Sequence, residues 1–212
     1  MQVPQMPRRP GSGLTRRHVL VAAAAFAISA RPSIAAPAEA RAFIDSLAKD
    51  ALAIIQADVP VTQRQKRFRE LFLKAFDVQS IGRFVLGRHW QRLSAEEREK
   101  YLDLFGDYVA AIYADQFSNY SGQNFRTLGA RPSSDNESVV PAQIERQGPP
   151  IRMDFRVRDA GGAYRITDVA VENVSLIITK RDEFSSVVNN EGVGGVMRRM
   201  QAALDNIQRA GG

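Results

Sequence analysis

Between residues 43 and 117 apolar side chains recur every three to four positions, and from about residue 125 to 171 the spacing shortens to two. Phe43, Leu47, Ile54 and Ile55 mark a first helix, which Pro60 separates from a second carrying Phe68, Leu71, Phe72, Ala75 and Phe76. Thr62 and Gln65 are spaced as a capping box for that second helix. Ser94 and Glu97 make another, opening a helix to about Phe117 whose apolar stripe is Tyr101, Leu104, Phe105, Tyr108, Val109, Ile112 and Tyr113.

The shorter period then predicts strands with one face buried. Val140, Ala142 and Ile144 alternate with polar neighbours, and Ile151, Met153, Phe155 and Val157 alternate with Arg152, Asp154, Arg156 and Arg158. Gly148-Pro149-Pro150 and Asp159-Ala160-Gly161-Gly162 are turn signals at hairpin spacing, so the strands should form an antiparallel meander. A less regular strand near residues 125–131 is expected to join it. Tyr164 and Ile166 share one parity while Val169 and Val171 share the other, which places a bulge or bend near Thr167-Asp168. Helical spacing returns from about Leu176 to Val188 and from Val193 to Ile207.

The N-terminus has a different character. Arg8, Arg9, Arg16 and Arg17 precede an apolar run from Val19 to Ala30, and small residues follow at Ser33-Ile34-Ala35, the pattern of a cleaved secretory signal. The run is about a dozen residues, short of the roughly 20 that a membrane-spanning helix needs. Residues 1–35 are therefore expected to be a signal peptide and residues 36–212 a single domain. Thr15-Arg16-Arg17-His18-Val19-Leu20 resembles a twin-arginine signal, with His18 and Val19 departing from it, so the twin-arginine and general secretory routes both stay open.

Cleavage would also remove most of the basicity. The segment holds five of the chain's 29 lysines and arginines and no acid, so 24 basic residues would face 23 acidic ones. A balanced surface gives no electrostatic footprint for nucleic acid. With no cysteine there is neither a disulfide framework nor a lipid-anchor thiol, and a soluble, untethered product is expected. His89 would be the one remaining histidine, too few for a multi-histidine metal centre, and no cofactor is called for. G-x-S-x-G, H-E-x-x-H and P-loop motifs are absent, and Gly192-Val193-Gly194-Gly195 lacks the Lys-Ser/Thr that follows a phosphate loop. Catalysis is not expected. The best candidate base, if there were a catalytic site, is Asp168.

Two segments carry a family likeness. Phe76, Asp77, Ile81, Arg83, Leu86, Gly87 and Trp90 spell FD-x-x-x-I-x-R-x-x-L-G-x-x-W, and Tyr164 to Leu176 reads YRITDVAVENVSL. Together they resemble the MlaC-like, or toluene-tolerance, family of periplasmic lipid shuttles. Tyr164 stands where the family usually has Trp. Asn173 stands where it has Gly, although Asn tolerates a left-handed turn. The likeness extends through Phe184 and the glycines at 192–195.

The resemblance implies an α+β fold in which helices pack on one face of a curved antiparallel sheet of about four strands, with an apolar pocket between them. On the residues alone, the sheet face and the helix stripe would be an ordinary close-packed core in most domains. Under the resemblance, the pocket is expected to be lined by Phe84, Trp90, Leu104, Tyr108, Ile112, Ile151, Met153, Phe155, Ile166 and Val174. Trp90 could instead lock its loop against the helix at Ser94. Arg83 could contact a lipid headgroup or pair with Asp77. Arg152, Arg156 and Arg158 form an outward basic strip, a solvated face or a docking surface. The implied role is a monomeric periplasmic phospholipid carrier. Its implied partners are an inner-membrane ABC complex with a ring-forming lipid-binding domain and an outer-membrane lipoprotein complex, and its task the upkeep of outer-membrane lipid asymmetry. A hopanoid or other polycyclic lipid is the alternative cargo, a protein-binding adaptor or a small isomerase or hydrolase the alternative class.

Overall fold

Proline lacks the amide proton a helix interior requires, so the chain breaks at Pro60 into α1 (Ala35–Ile55) and α2 (Val61–Ala75). The computed structural model describes residues 35–118 and 124–210; the expected signal segment falls outside the described residues except for Ala35. Helix α2 begins at Val61 with Pro60 as its cap and no side-chain capping bond, so Thr62 lies inside the first turn and the expected Thr62–Gln65 box does not form. The Ser94–Glu97 box does form. Glu97 N donates to Ser94 Oγ at 3.2 Å and Ser94 N donates to Glu97 Oε2 at 2.7 Å, opening α4 (Ala95–Ser118).

Between them, α3 (Val78–Leu86) is capped by Asp77, whose Oδ1 accepts from Ser80 N at 3.0 Å. It ends at Gly87, whose φ of 55° is one that side-chain-bearing residues avoid and whose amide donates to the carbonyls of Arg83 and Phe84. A 3₁₀ turn, Gly87–Arg92, leads to α4.

Among the described residues the sheet has six strands, all antiparallel. They are β1 (Asn124–Thr127), β2 (Arg131–Ser134), β3 (Glu137–Glu145), β4 (Ile151–Asp159), β5 (Tyr164–Val171) and β6 (Val174–Ser175). The strand expected near 125–131 is split: β1 and β2 pair in tandem with β3, and Gly129 at φ 126° turns the chain between them. The expected bulge is present, since Arg156 pairs with Asp168 while Val157 pairs with Ile166, leaving Thr167 extra. That shift puts Ile166 and Val169 on the same sheet face. Glu172 and Asn173 both have positive φ, 49° and 66°, as a two-residue type I′ hairpin turn needs, so Asn173 adopts the left-handed conformation expected of it. The last helix, α5 (Leu176–Ala210), is broken at Gly192 (φ 67°), matching the two helical segments seen in the spacing.

Helix α1 lies against β1, β3 and β4, while α2, α3 and α5 meet β5 toward the sheet's other edge. The Phe76-Asp77 step ties the layers together. Asp77 N donates to Ile166 O at 2.9 Å, and Arg158 Nη1 donates to Asp77 Oδ2 at 3.1 Å. Asp77 therefore pairs with Arg158, not with Arg83, because capping α3 points its carboxylate at the sheet.

Candidate functional site

The apolar faces of α1, α2, α4, the start of α5 and the inner sheet do not close on one another. They surround a cavity of about 550 Å³. Its helical walls are Ile44, Leu47 and Leu52 of α1, Phe68, Leu71 and Phe72 of α2, and Tyr108, Val109, Ile112 and Tyr113 of α4. Its sheet wall is Phe125, Ile144, Met153, Phe155, Val169 and Val171. Cross-strand register aligns these residues: Phe125 opposite Ile144, Phe155 opposite Val169, Met153 opposite Val171. Phe125 and Phe155 meet edge to face at 6.1 Å.

A pocket of that volume holds apolar side chains apart where a packed core would bring them together, and leaves that lost packing for a ligand to restore. Its walls offer water few hydrogen-bond partners. The arrangement is suited to an apolar ligand of lipid or drug size.

The polar lining gathers on one side. Asp168, which is buried, and Thr179, Lys180 and Glu183 of α5 adjoin the apolar wall there, close to the Tyr108 side chain. Asp168 Oδ2 accepts from Ser175 Oγ at 2.7 Å and Oδ1 accepts from Ile177 N at 3.4 Å, so this carboxylate anchors the start of α5. A carboxylate at a helix N-terminus is where the helix dipole favours it. Lys180 Nζ donates to Glu183 Oε2 at 2.6 Å and to Tyr108 Oη at 3.5 Å and lies 5.6 Å from the Tyr108 ring centre. Burial alone would lower the Lys180 ammonium, but the Glu183 carboxylate and Tyr108 outweigh it and hold it above its ordinary value. Burial, reinforced by the Asp168 and Glu183 charges, pushes the Tyr113 phenol up to about 12. Among the described residues, no group of three or more His, Asp or Glu side chains is placed to hold a metal ion.

Of the ten pocket residues expected from the sequence, the structure places Tyr108, Ile112, Met153 and Phe155 on the cavity wall and the other six elsewhere. Phe84 is on the outer side of α3, 39% exposed, with the Arg181 guanidinium 4.6 Å over its ring. Trp90 packs edge-on against Tyr101 at 6.3 Å and takes Arg98 on its face, locking the 3₁₀ turn to α4. Leu104 packs against the solid core of α3, α4 and α5, one turn before Tyr108 on the same stripe and short of the cavity. Ile166 is fully buried against Val157, beneath the Thr167 bulge. Ile151 has the parity of Met153 but sits at the strand's entry, outside the lining. Val174 is in the β5–β6 hairpin and 57% exposed. Arg83 is exposed and likewise outside the lining. The outward basic strip is largely paired, Arg156 with Glu137 and Arg158 with Asp77.

The α1 and α2 walls and the polar side had not been assigned to a pocket from the sequence. The signal for the first was present, since Leu47, Phe68, Leu71 and Phe72 belong to stripes already visible by periodicity. Lys180 and Glu183 carried none, because an i,i+3 charge pair reads as a solvated helix face.

Compared with known families, the chain matches the one described as MlaC protein over residues 45–202. A relative from Haemophilus influenzae, the intermembrane phospholipid transport system binding protein MlaC, is 26% identical over 138 residues, 63% of this chain and 64% of that protein. The chain thus aligns with somewhat less than two thirds of that relative's length. The phospholipid-binding protein of Ralstonia solanacearum, solved in complex with a phospholipid, superposes with a TM-score of 0.71 at 20% identity, covering 80% of this chain and 98% of that one. That likeness is one of fold.

Proposed function

The chain belongs to the MlaC protein family, and from that premise we propose that it is a periplasmic carrier of phospholipid, holding one lipid's acyl chains in the cavity between helices and sheet. The observation that carries the reading is the cavity: about 550 Å³ walled by apolar side chains from five helices and four strands, with its charges confined to one side. The Haemophilus relative is a phospholipid transport binding protein and the Ralstonia neighbour holds a phospholipid, which supports the same class of cargo.

Export by a signal peptide in residues 1–35, through the twin-arginine or general secretory route, would deliver the carrier to the periplasm. There it would move lipid between an inner-membrane ABC complex with a ring-forming lipid-binding domain and an outer-membrane lipoprotein complex, sustaining the asymmetry of the outer membrane. Energetics support the need for partners at both ends. Burying ~30 acyl methylenes at ~0.8 kcal/mol each is worth on the order of 25 kcal/mol relative to water, but a bilayer offers nearly the same. A pocket makes aqueous transit possible, whereas direction has to come from the machinery that loads and empties it.

Met153 and the aliphatic wall adapt to flexible chains of varied length better than to a rigid polycyclic skeleton, which favours phospholipid over hopanoid. Solvent extraction of protein purified without detergent from a membrane-rich lysate tests this. A phosphorus-containing diacyl lipid is expected. A hopanoid-dominated extract would overturn the cargo while leaving carriage intact, and turnover by lipid-free protein that is lost in Asp168→Asn would overturn carriage itself.

A further inference from the structure

We propose that Lys180 and Glu183 read the charge of the lipid's headgroup and select zwitterionic over net-anionic lipid. The inference rests on the carrier reading and names the specificity of the same site. The two side chains belong to the cavity lining yet stay partly in water, Lys180 at 25% and Glu183 at 52% exposure, whereas the nearby wall residues Phe105 and Val169 are buried. Where the lining meets solvent, this pair is its charged part, so a lipid with its chains against that wall finds charge partners for its polar end here.

The pair sets a full positive and a full negative charge within one headgroup's span. Lys180 Nζ, beside Tyr108 Oη, is a donor site for a phosphate; Glu183 is an acceptor site for an ammonium. A zwitterionic headgroup replaces each partner's lost contact with an opposite charge. A net-anionic headgroup occupies Lys180 and leaves Glu183 uncompensated, with the Asp168 carboxylate, buried in the same wall, adding to the repulsion. Counted over these groups, two carboxylates stand against one ammonium. The neighbouring Arg181 does not change the balance, because it is turned outward over the ring of Phe84.

The test loads purified lipid-free protein from vesicles of equal parts phosphatidylethanolamine and phosphatidylglycerol with matched acyl chains. The bound lipid is then counted by class and in total by mass spectrometry. The wild-type protein is expected to be enriched in the zwitterionic lipid by roughly two- to fivefold, the range of a partly exposed charge contact. Glu183→Lys should invert the ratio, and the exchanged pair Lys180→Glu with Glu183→Lys should bring it back toward the zwitterion. Glu96→Lys makes the same charge change in the solvent-facing Lys100–Glu96 pair of α4 and should leave the ratio where the wild-type protein has it. Equal ratios in wild type and Glu183→Lys, or equal shifts in Glu183→Lys and Glu96→Lys, would overturn the proposal while lipid in the total count sustains the carrier reading. A wild-type protein that takes up neither lipid would overturn both.

Discussion

Between α3, α4 and α5, Tyr101, Phe105, Phe184, Val196 and Met200 close over one another with at most 6% exposure, and Phe105 alone of these also borders the cavity. Rings stack and cross there, Tyr101 on Phe105 at 5.6 Å and Phe105 on Phe184 at 6.1 Å, and Tyr101 Oη donates to Gly82 O at 3.1 Å. A short distance away, Leu47, Phe72, Ile112, Met153 and Phe155 are residues of the same kinds, and they stand around a 550 Å³ cavity. Composition does not separate the two regions. What differs is how closely the backbones approach. Gly82 lets α3 and α4 come so near that an added Cβ would lie 2.8 Å from Leu102. The solid region carries the fold, and the hollow region is free to carry a ligand.

The comparison breaks if the two regions respond alike to truncation. Phe184→Ala in the solid region should cost about 3–5 kcal/mol in denaturant unfolding, whereas Ile112→Ala on the cavity wall should cost only about 1 kcal/mol in lipid-free protein, because little close packing is lost there. Equal losses would mean that the cavity wall is packed as tightly as the core. A charge in the hollow region should act on ligand instead of fold. Phe155→Asp should reduce bound lipid by about tenfold or more, since the carboxylate must be desolvated or admit water. Arg156→Glu, one residue along on the outer face, should retain its lipid. Full lipid in folded Phe155→Asp, checked by circular dichroism, would contradict the assigned face.

Two smaller effects sharpen the boundary between the regions. Asp77→Ala removes both the cap of α3 and the partner of Arg158, with an expected loss of about 1–2 kcal/mol by thermal melting and no selective change in lipid class. The least is a slope in alkali. An unfolded tyrosine ionises near pH 10 while Tyr113 stays neutral to about 12, so the unfolded state sheds its proton first. Its contribution is present in full below pH 10 and lost as pH rises to 12. Tyr113→Phe should therefore flatten the fall in stability across that window, and an unchanged slope would place Tyr113 in water.

Much of this division could be read from the chain, and its limits follow from what periodicity encodes. The stripes through Phe68, Phe72, Tyr108 and Ile112 and the alternation at Met153 and Phe155 identify which faces turn inward. The parity switch around Thr167 even locates the bulge. Periodicity is silent on whether inward faces touch. Leu104 and Tyr108 lie on one stripe and both pack against the solid core, yet only Tyr108, one turn further on, also reaches the cavity wall. Ile166 and Val169 share a sheet face and one buried cluster, yet only Val169 borders the cavity. Trp90 belongs to the family motif and Phe84 lies within its span, and their tertiary partners, Tyr101 and Arg181, are on other helices. The motif proves to be a joint between helices and sheet, built around Asp77.

Native mass spectrometry of the protein from about residue 36 onward, isolated without detergent from a membrane-rich lysate, tests the central claim most directly. A mass exceeding the bare chain by one diacyl phospholipid, lost in Phe155→Asp and kept in Arg156→Glu, is the predicted result. Bare chain alone in all three proteins would contradict it.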